Sequence, residues 1–380
     1  MKPARIQIFS PFWERAVLLL GFLPLIFVAW DPGWMHSKWK LGFISDILFL
    51  NIVHNAFSFY IMWRSDEVRT AIRSHYGNSY SLHLRAMAVF CIGFVAYYFF
   101  FLKLFPSPEF RLVALVAIQF LALQHALSQA HGLSRLYDHA LKQNRTLSEA
   151  EVQRLRTAGT WERRFHRIAL LGIAIRALWT GNIAYGNQSP TDWNYLATIG
   201  RYILILGTTG LVATCFCRPY WRESNQWLFN LRRVWELLPS YFNPTYIALQ
   251  RLNHGFEYLA VTATMEKNAK KVRSLKIAAA VFAGVVGARI FFYMYQMIYR
   301  DSSTPFEPMA FTGELQSVTL VLALSSLSIS LMHYYYDSQI FRFSKAEFRD
   351  NVLPLLTAHQ ASATNRAESS PISPSRSSTM

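Results

Sequence analysis

The chain has 380 residues, of which 52% are hydrophobic, 16% aromatic and 16% charged, with a formal net charge of +16 and a mean hydropathy of +0.16. Soluble domains carry about 25% charged residues, so the composition excludes an ordinary water-soluble globule. Three cysteines, Cys91, Cys215 and Cys217, exclude a disulfide framework and offer no zinc-ligand spacing.

The apolar residues gather into blocks of about twenty, the length a helix needs to cross the hydrocarbon core. In chain order the predicted spans are 16–30, 41–63, 86–105, 112–134, 168–182, 196–217, 277–298 and 313–338. Lys2, Arg5 and Arg15 precede the first block as in a secretory signal, but no small-residue cleavage site follows, and Asp31, Pro32 and Gly33 read as a turn. It is therefore a spanning helix. With the N-terminus inside, thirty of the 38 Lys and Arg residues fall on one side, against Lys38, Lys40, Lys103, Arg111 and Arg300 on the other. This positive-inside bias puts both termini in the cytoplasm.

The same bias decides a ninth apolar segment, 244–264. As a full span it would export the basic run KNAKKVRSLK, so it is expected to lie in the interface or to dip in from the cytoplasmic side. The predicted fold is an all-α polytopic membrane bundle over 1–343, with about eight transmembrane helices plus one interfacial or re-entrant helix. Within it, 135–167 forms a cytoplasmic helical loop that carries a capping box at Ser148 and Glu151, and 344–380 is a Ser- and Pro-rich cytoplasmic tail expected to be largely disordered. The basic residues do not form the single patch that nucleic acid demands, so the charge reads as attraction to anionic membrane lipids.

Ionisable residues at membrane depth are costly and usually functional. His54, His125, His131 and His333 fall on the second, fourth and last spans, all running from outside to inside, each in the last third of its helix. At about 1.5 Å per residue, His54, His125 and His333 lie in one layer about 15 Å from the inner surface, with His131 nearer to it. His254, in the segment 244–264, enters from the same side. Neutral imidazole is the commonest metal ligand, and iron or zinc suits mixed nitrogen and carboxylate ligation. Carboxylates stand beside the histidines: Asp337 follows His333 by four residues and Glu257 follows His254 by three, while Asp46 and Asn51 precede His54. They are read as ligands or as partners that orient the ligating imidazoles. His125 and His131, six residues apart, point about 120° from each other, which favours one of the two as a ligand over both.

His139 and His166 are expected at headgroup level, and His36, His75, His83 and His359 lie in loops, tail or edges and are given no role. Tyr334, Tyr335 and Tyr336 read as an interfacial aromatic belt, from which Tyr335 or Tyr336 can also line a substrate pocket. Arg176 and Arg289 fall mid-span; each needs an acidic partner such as Asp46 or Glu314, or, as a functional alternative for Arg289, an anionic lipid head or fatty-acid carboxylate.

The terminal run HYYYDSQIFR, His333 to Arg342, resembles a signature that closes a group of bacterial multi-pass membrane proteins, and the stretches around His54, His125, His131 and His254 fit the same pattern. More distantly, the histidine-rich helices are similar in kind to membrane-integral non-haem iron enzymes, the lipid desaturases, hydroxylases and carotenoid-cleaving oxygenases, although the HxxxH and HxxHH boxes of the desaturases are absent. The depth and type of these residues, more than the resemblance, from which neither ligand set nor substrate carries over, lead to the expectation of a bacterial inner-membrane oxidoreductase with one or two iron ions near the cytoplasmic leaflet, acting on a lipid or other apolar substrate with electrons from a partner protein. His54, His125, His131, His254 and His333 are the expected ligands, with Glu257 and Asp337 as ligands or their partners and His254, Glu257 and Asp337 as the catalytic set. Two other classes stand beside this one: a proton- or ion-coupled transporter using the same groups, and a lipid acyl- or headgroup transferase with His254 catalytic. Haem held by His54 with His125 or His333 is a further option.

Overall fold

The computed structural model describes residues 6–20, 50–104, 108–184, 194–238, 250–270, 272, 274–299, 328–329 and 331–357, and among them the regular structure is helical, with no strand. The helices are α1 (Pro11–Leu20), α2 (Leu50–Arg64), α3 (Asp66–His75), α4 (Tyr80–Leu104), α5 (Pro108–Asn144), α6 (Glu149–Ala184), α7 (Asn194–Phe216), α8 (Gln226–Leu237), α9 (Gln250–Asn268), α10 (Leu275–Tyr299), α11 (331–340) and α12 (Ala346–Asn351). Among the described residues, one helix, over Tyr195–Phe216, is long and apolar enough to cross a membrane by its own length and composition.

Local chemistry explains the boundaries. Pro108 opens α5 at the first helical position, where its missing N–H costs nothing. Ser65 caps α3 by accepting from the Val68 N–H at 3.3 Å, and Gly77 and Asn78, at φ of 60° and 65°, turn the chain after that helix. The capping box forms: the Glu151 carboxylate accepts from the Ser148 N–H at 2.8 Å, and the Ser148 hydroxyl accepts from the Glu151 N–H at 3.3 Å.

The segment 135–167 is helical as expected, but as the continuation of two long helices and not as a separate element. α5 has 37 residues and α6 has 36, so each is about 54 Å long and continues well past the predicted spans at 112–134 and 168–182. Only the short turn between them, near 145–148, is non-helical. α6 and α7 then pack backbone against backbone. A Cβ on Gly207 would stand 2.4 Å from the Ala169 nitrogen, and one on Gly172 2.6 Å from the Leu204 nitrogen. Small residues at such crossings let helices without a hydrophobic driving force gain dispersion contacts.

The larger apolar core is built by α1, α2, α3, α5, α8, α9, α11 and the segment beyond residue 343. That last segment departs from expectation. Phe348 and Val352 are fully buried and Leu353, Leu355 and Leu356 nearly so, with α12 against α3, because this stretch carries apolar residues at helical spacing ahead of the Ser- and Pro-rich sequence. The remainder of the tail, 358–380, lies outside the described residues, as does most of the predicted spans at 16–30 and 313–338. A second core, with Leu127, Leu170, Ile173 and Leu204, joins α5 to α6, α7 and α8. The histidine site lies beside α5, which takes part in both.

Candidate metal centre

Four imidazoles from four helices meet at one point. His54 of α2 lies with its ring centroid 4.9 Å from that of His254 of α9 and 4.7 Å from that of His333 of α11. His125 of α5 lies 5.3 Å from His254 and 5.2 Å from His333. His254 and His333 are 6.4 Å apart. α2 packs against α9, which fixes the first pair; α5 and α11 supply the others. His54, His254 and His333 are buried, and His125 is nearly so.

Asp337, one turn after His333, completes the group. Its Oδ2 stands 3.0 Å from His125 Nε2 and 3.5 Å from His333 Nε2. Its Oδ1 accepts from the Ser58 hydroxyl at 2.8 Å and from the Tyr258 hydroxyl at 2.5 Å. The Ser58 oxygen also lies 2.5 Å from His333 Nδ1 and 2.8 Å from the Tyr258 oxygen. A carboxylate can only accept, so this chain of groups runs one way: His333 Nδ1–H donates to Ser58, and the hydroxyls donate to Asp337. That fixes the tautomer of His333 and leaves its Nε2 with a lone pair toward Asp337 Oδ2.

Two lone pairs facing each other in a buried space call for a cation between them. The same holds nearby: both ring nitrogens of His254, which is 5% exposed, and Asp337 Oδ2 are buried without a hydrogen bond. One ligand atom each from His125, His254, His333 and Asp337 fall within 4.8 Å of one another. Ligands about 2.0–2.2 Å from one metal ion lie at most about 4.4 Å apart, so the set closes on a single ion with small movements. Three imidazoles and a carboxylate suit iron or another first-row ion. The residues present therefore fit a metal.

The remaining predicted residues fall elsewhere. Glu257 does not turn to this group; its carboxylate pairs with the fully buried Arg232 of α8, which also reaches Glu236 at 2.9 Å and the Val17 carbonyl at 2.8 Å. The neighbouring guanidinium, a stronger partner than an imidazole, decides the direction of Glu257. Tyr335 and Tyr336 face away, toward α3 and α4: the Tyr335 hydroxyl bonds Tyr76 and lies 3.2 Å from His83 Nδ1, and Tyr336 donates to the Met87 sulfur at 3.2 Å. His83 is thus buried between elements, contrary to its placement in a loop. Tyr334 is the tyrosine that touches the site, its ring 4.4 Å from His125. The side chains of Arg289 and Asn51, and the whole of Asp46 and Glu314, lie outside the described residues; Arg176 is buried on α6.

His131 and His166 form a second group with Glu162. His131 Nδ1 is 3.0 Å from Glu162 Oε1, and the His131 and His166 rings are 6.4 Å apart. His125 and His131 thus serve different groups, as their six-residue spacing requires. His166, expected at headgroup level, is buried, and burial together with Arg233 pushes it down to about 3. Glu162 also accepts from Ser134 at 2.9 Å and pairs with Arg218, which reaches Asp138 at 3.2 Å. Burial would raise the Glu162 carboxyl, but Arg218 and His131 overcome it and hold it well below the usual range. With Arg218 on the carboxylate and Arg233 nearby at 3.9 Å, a further cation would meet two positive charges, so this group is an ion-pair anchor between α5, α6, α7 and α8.

Ser58 and Tyr258 were not singled out in the sequence, yet a signal for both exists. Each of the four clustered histidines is followed four residues later by a buried polar residue: Ser58, Gln129, Tyr258 and Asp337. One helical turn puts both members of each pair on one face. Compared with protein-family models, curated proteins and solved structures, the chain shows no match.

Proposed function

We propose that the chain is a multi-pass integral membrane metalloenzyme, a non-haem iron oxidoreductase that uses dioxygen on a lipid or other apolar substrate, with reducing equivalents from a partner protein. The observation that carries this reading is the convergence of three imidazoles and one carboxylate whose buried donor atoms include both nitrogens of His254 and Asp337 Oδ2, left without hydrogen bonds. Membrane insertion is supported by the apolar side chains that α4, α7 and α10 leave exposed, among them Val89, Ile92, Tyr202, Leu206, Leu275 and Ile277. Exposed apolar side chains gathered on helices in this way suit a lipid surrounding. The resemblance of the HYYYDSQIFR run to bacterial multi-pass proteins belongs to the same proposal.

In this reading His125, His254, His333 and Asp337 hold the ion, Ser58 sets the tautomer of His333, and Tyr258 orients Asp337. Bound iron supplies redox chemistry toward dioxygen at coordination positions the protein leaves open. The apolar helices around the site exclude water and favour a substrate that arrives from lipid. The transferase alternative gains no support, because a lone catalytic His254 needs a partner to orient it and neither of its nitrogens is hydrogen-bonded. The proton-relay alternative draws on the His125–Asp337 contact at 3.0 Å, which also suits a shared proton.

Elemental analysis and an optical spectrum of the full chain purified in detergent separate these. The metal reading expects about one iron per chain, lost in His333→Ala and in Asp337→Ala. A folded wild-type chain that neither holds nor takes up metal ends it and leaves the proton relay.

A further inference from the structure

α2 brings two side chains to the centre, and neither is placed as a ligand. Ser58 acts on other residues: it bonds His333 and Asp337. His54 lies against two rings of the ligand set, His254 and His333, meeting them edge-on at 74° and 81°. The group whose donor atoms all lie within 4.8 Å of one another comprises His125, His254, His333 and Asp337, and His54 is not in it. Three imidazoles and one carboxylate would fill a tetrahedral site, but an ion that takes five or six ligands, as iron does, keeps room beside them for an exogenous ligand. Beside that set lies His54, 3% exposed, an imidazole with one N–H and one lone pair, its ring 6.4 Å from that of Tyr258.

We propose that His54 stays outside the coordination sphere and forms the polar wall of the site, hydrogen-bonding the small oxygen- or nitrogen-donor molecule that completes the centre. This rests on the metal reading above and assigns α2 a distinct task. α5, α9 and α11 supply the grip on the ion; α2 supplies the surface that greets what binds to it. His54 is therefore a ligand-recognition residue for a compact oxygen- or nitrogen-donor ligand such as dioxygen or a small anion, and not one of several equivalent histidines.

The test uses the full chain in detergent, stripped of metal and reloaded with Co(II), with azide as the probe ligand and the visible ligand-field bands as readout. His54→Phe keeps a flat ring in the packing but cannot ligate, and His54→Asn is the smaller polar control. Cobalt affinity within about threefold of wild type in either variant, beside losses of more than about a hundredfold in His254→Phe and His333→Phe, supports the proposal. Azide should then bind about tenfold more weakly to His54→Phe, the effect of one lost hydrogen bond. If both His54 variants lose cobalt as His333→Phe does, His54 is a fourth ligand and the proposal is overturned. Unchanged azide affinity in His54→Phe overturns it equally. A wild-type chain that takes up no cobalt removes the metal reading itself, an outcome distinct from either.

Discussion

Replacing Glu162 by Gln isolates the ion-pair anchor from the histidine site. The side chain is fully buried, accepts from Ser134 at 2.9 Å and from His131 at 3.0 Å, and pairs with Arg218, which is itself buried. Gln keeps the volume and one acceptor oxygen but removes the charge. Breaking one partner of a buried pair costs about 3–5 kcal/mol, and because Arg218 retains Asp138 at 3.2 Å the low end, about 3 kcal/mol, is expected. Arg218→Met should cost a similar amount, and the double variant less than the two together by about 2 kcal/mol, since it leaves no orphaned charge at this contact. SDS titration of the full chain in mixed micelles measures the three values. The pH dependence has a definite sign. Glu162 is depressed below its ordinary 4.5, so its stabilisation is complete above about pH 4.5 and is lost as the pH falls toward the folded value. Thermal midpoints of the wild type should therefore fall below pH 4.5 more steeply than those of Glu162→Gln. A Glu162→Gln variant within 0.5 kcal/mol of wild type, or strict additivity in the double variant, would refute the anchor as described, taking about 0.5 kcal/mol as the limit of additivity.

Three further outcomes are expected. Ser58→Ala should weaken metal binding by about 10–100-fold in chelator competition, with the fold retained, because it removes the group that orients both His333 and Asp337. Phe348→Ala should destabilise the chain by about 3–5 kcal/mol in the same SDS titration, the usual effect of emptying a fully buried aromatic site, which a disordered tail would not show. Gly207→Ala forces apart two backbones and should cost about 1–3 kcal/mol, whereas Gly284→Ala, with nothing within 4 Å of an added Cβ, should stabilise its helix slightly.

The spans at 86–105, 196–217 and 277–298 agree with α4, α7 and α10 to within a few residues at each end, because their apolar blocks end in charge or turn residues. Hydropathy sees only the apolar part of a helix, which is why the predicted spans stop short of the polar C-terminal part of α5 and the polar N-terminal part of α6. The depth argument groups His54, His125, His131, His254 and His333 without any knowledge of which helices neighbour one another; four of the five converge, and His131 stands instead with Glu162 and His166. Orientation about the helix axis was less legible. Glu257 sits three residues from His254, close enough in sequence to suggest a shared role, yet Arg232 comes from a distant helix and claims it. No spacing rule contains that partner. The tyrosine run failed in the same way: successive residues on a helix turn about 100°, so one of three faces the site, and the choice of Tyr334 depends on where α3 and α4 stand.

The order in which the donors occur along the chain has a consequence for biogenesis. His125 leaves the ribosome early and His254 later, but His333 and Asp337 come with α11, and the packing that secures α11 includes Phe348 and Leu356 beyond it. The cluster therefore cannot be assembled on a nascent chain until α11 and the segment through Leu356 have been made. Any product truncated before α11 lacks His333 and Asp337, half of the four-residue cluster, together with the apolar residues that secure them.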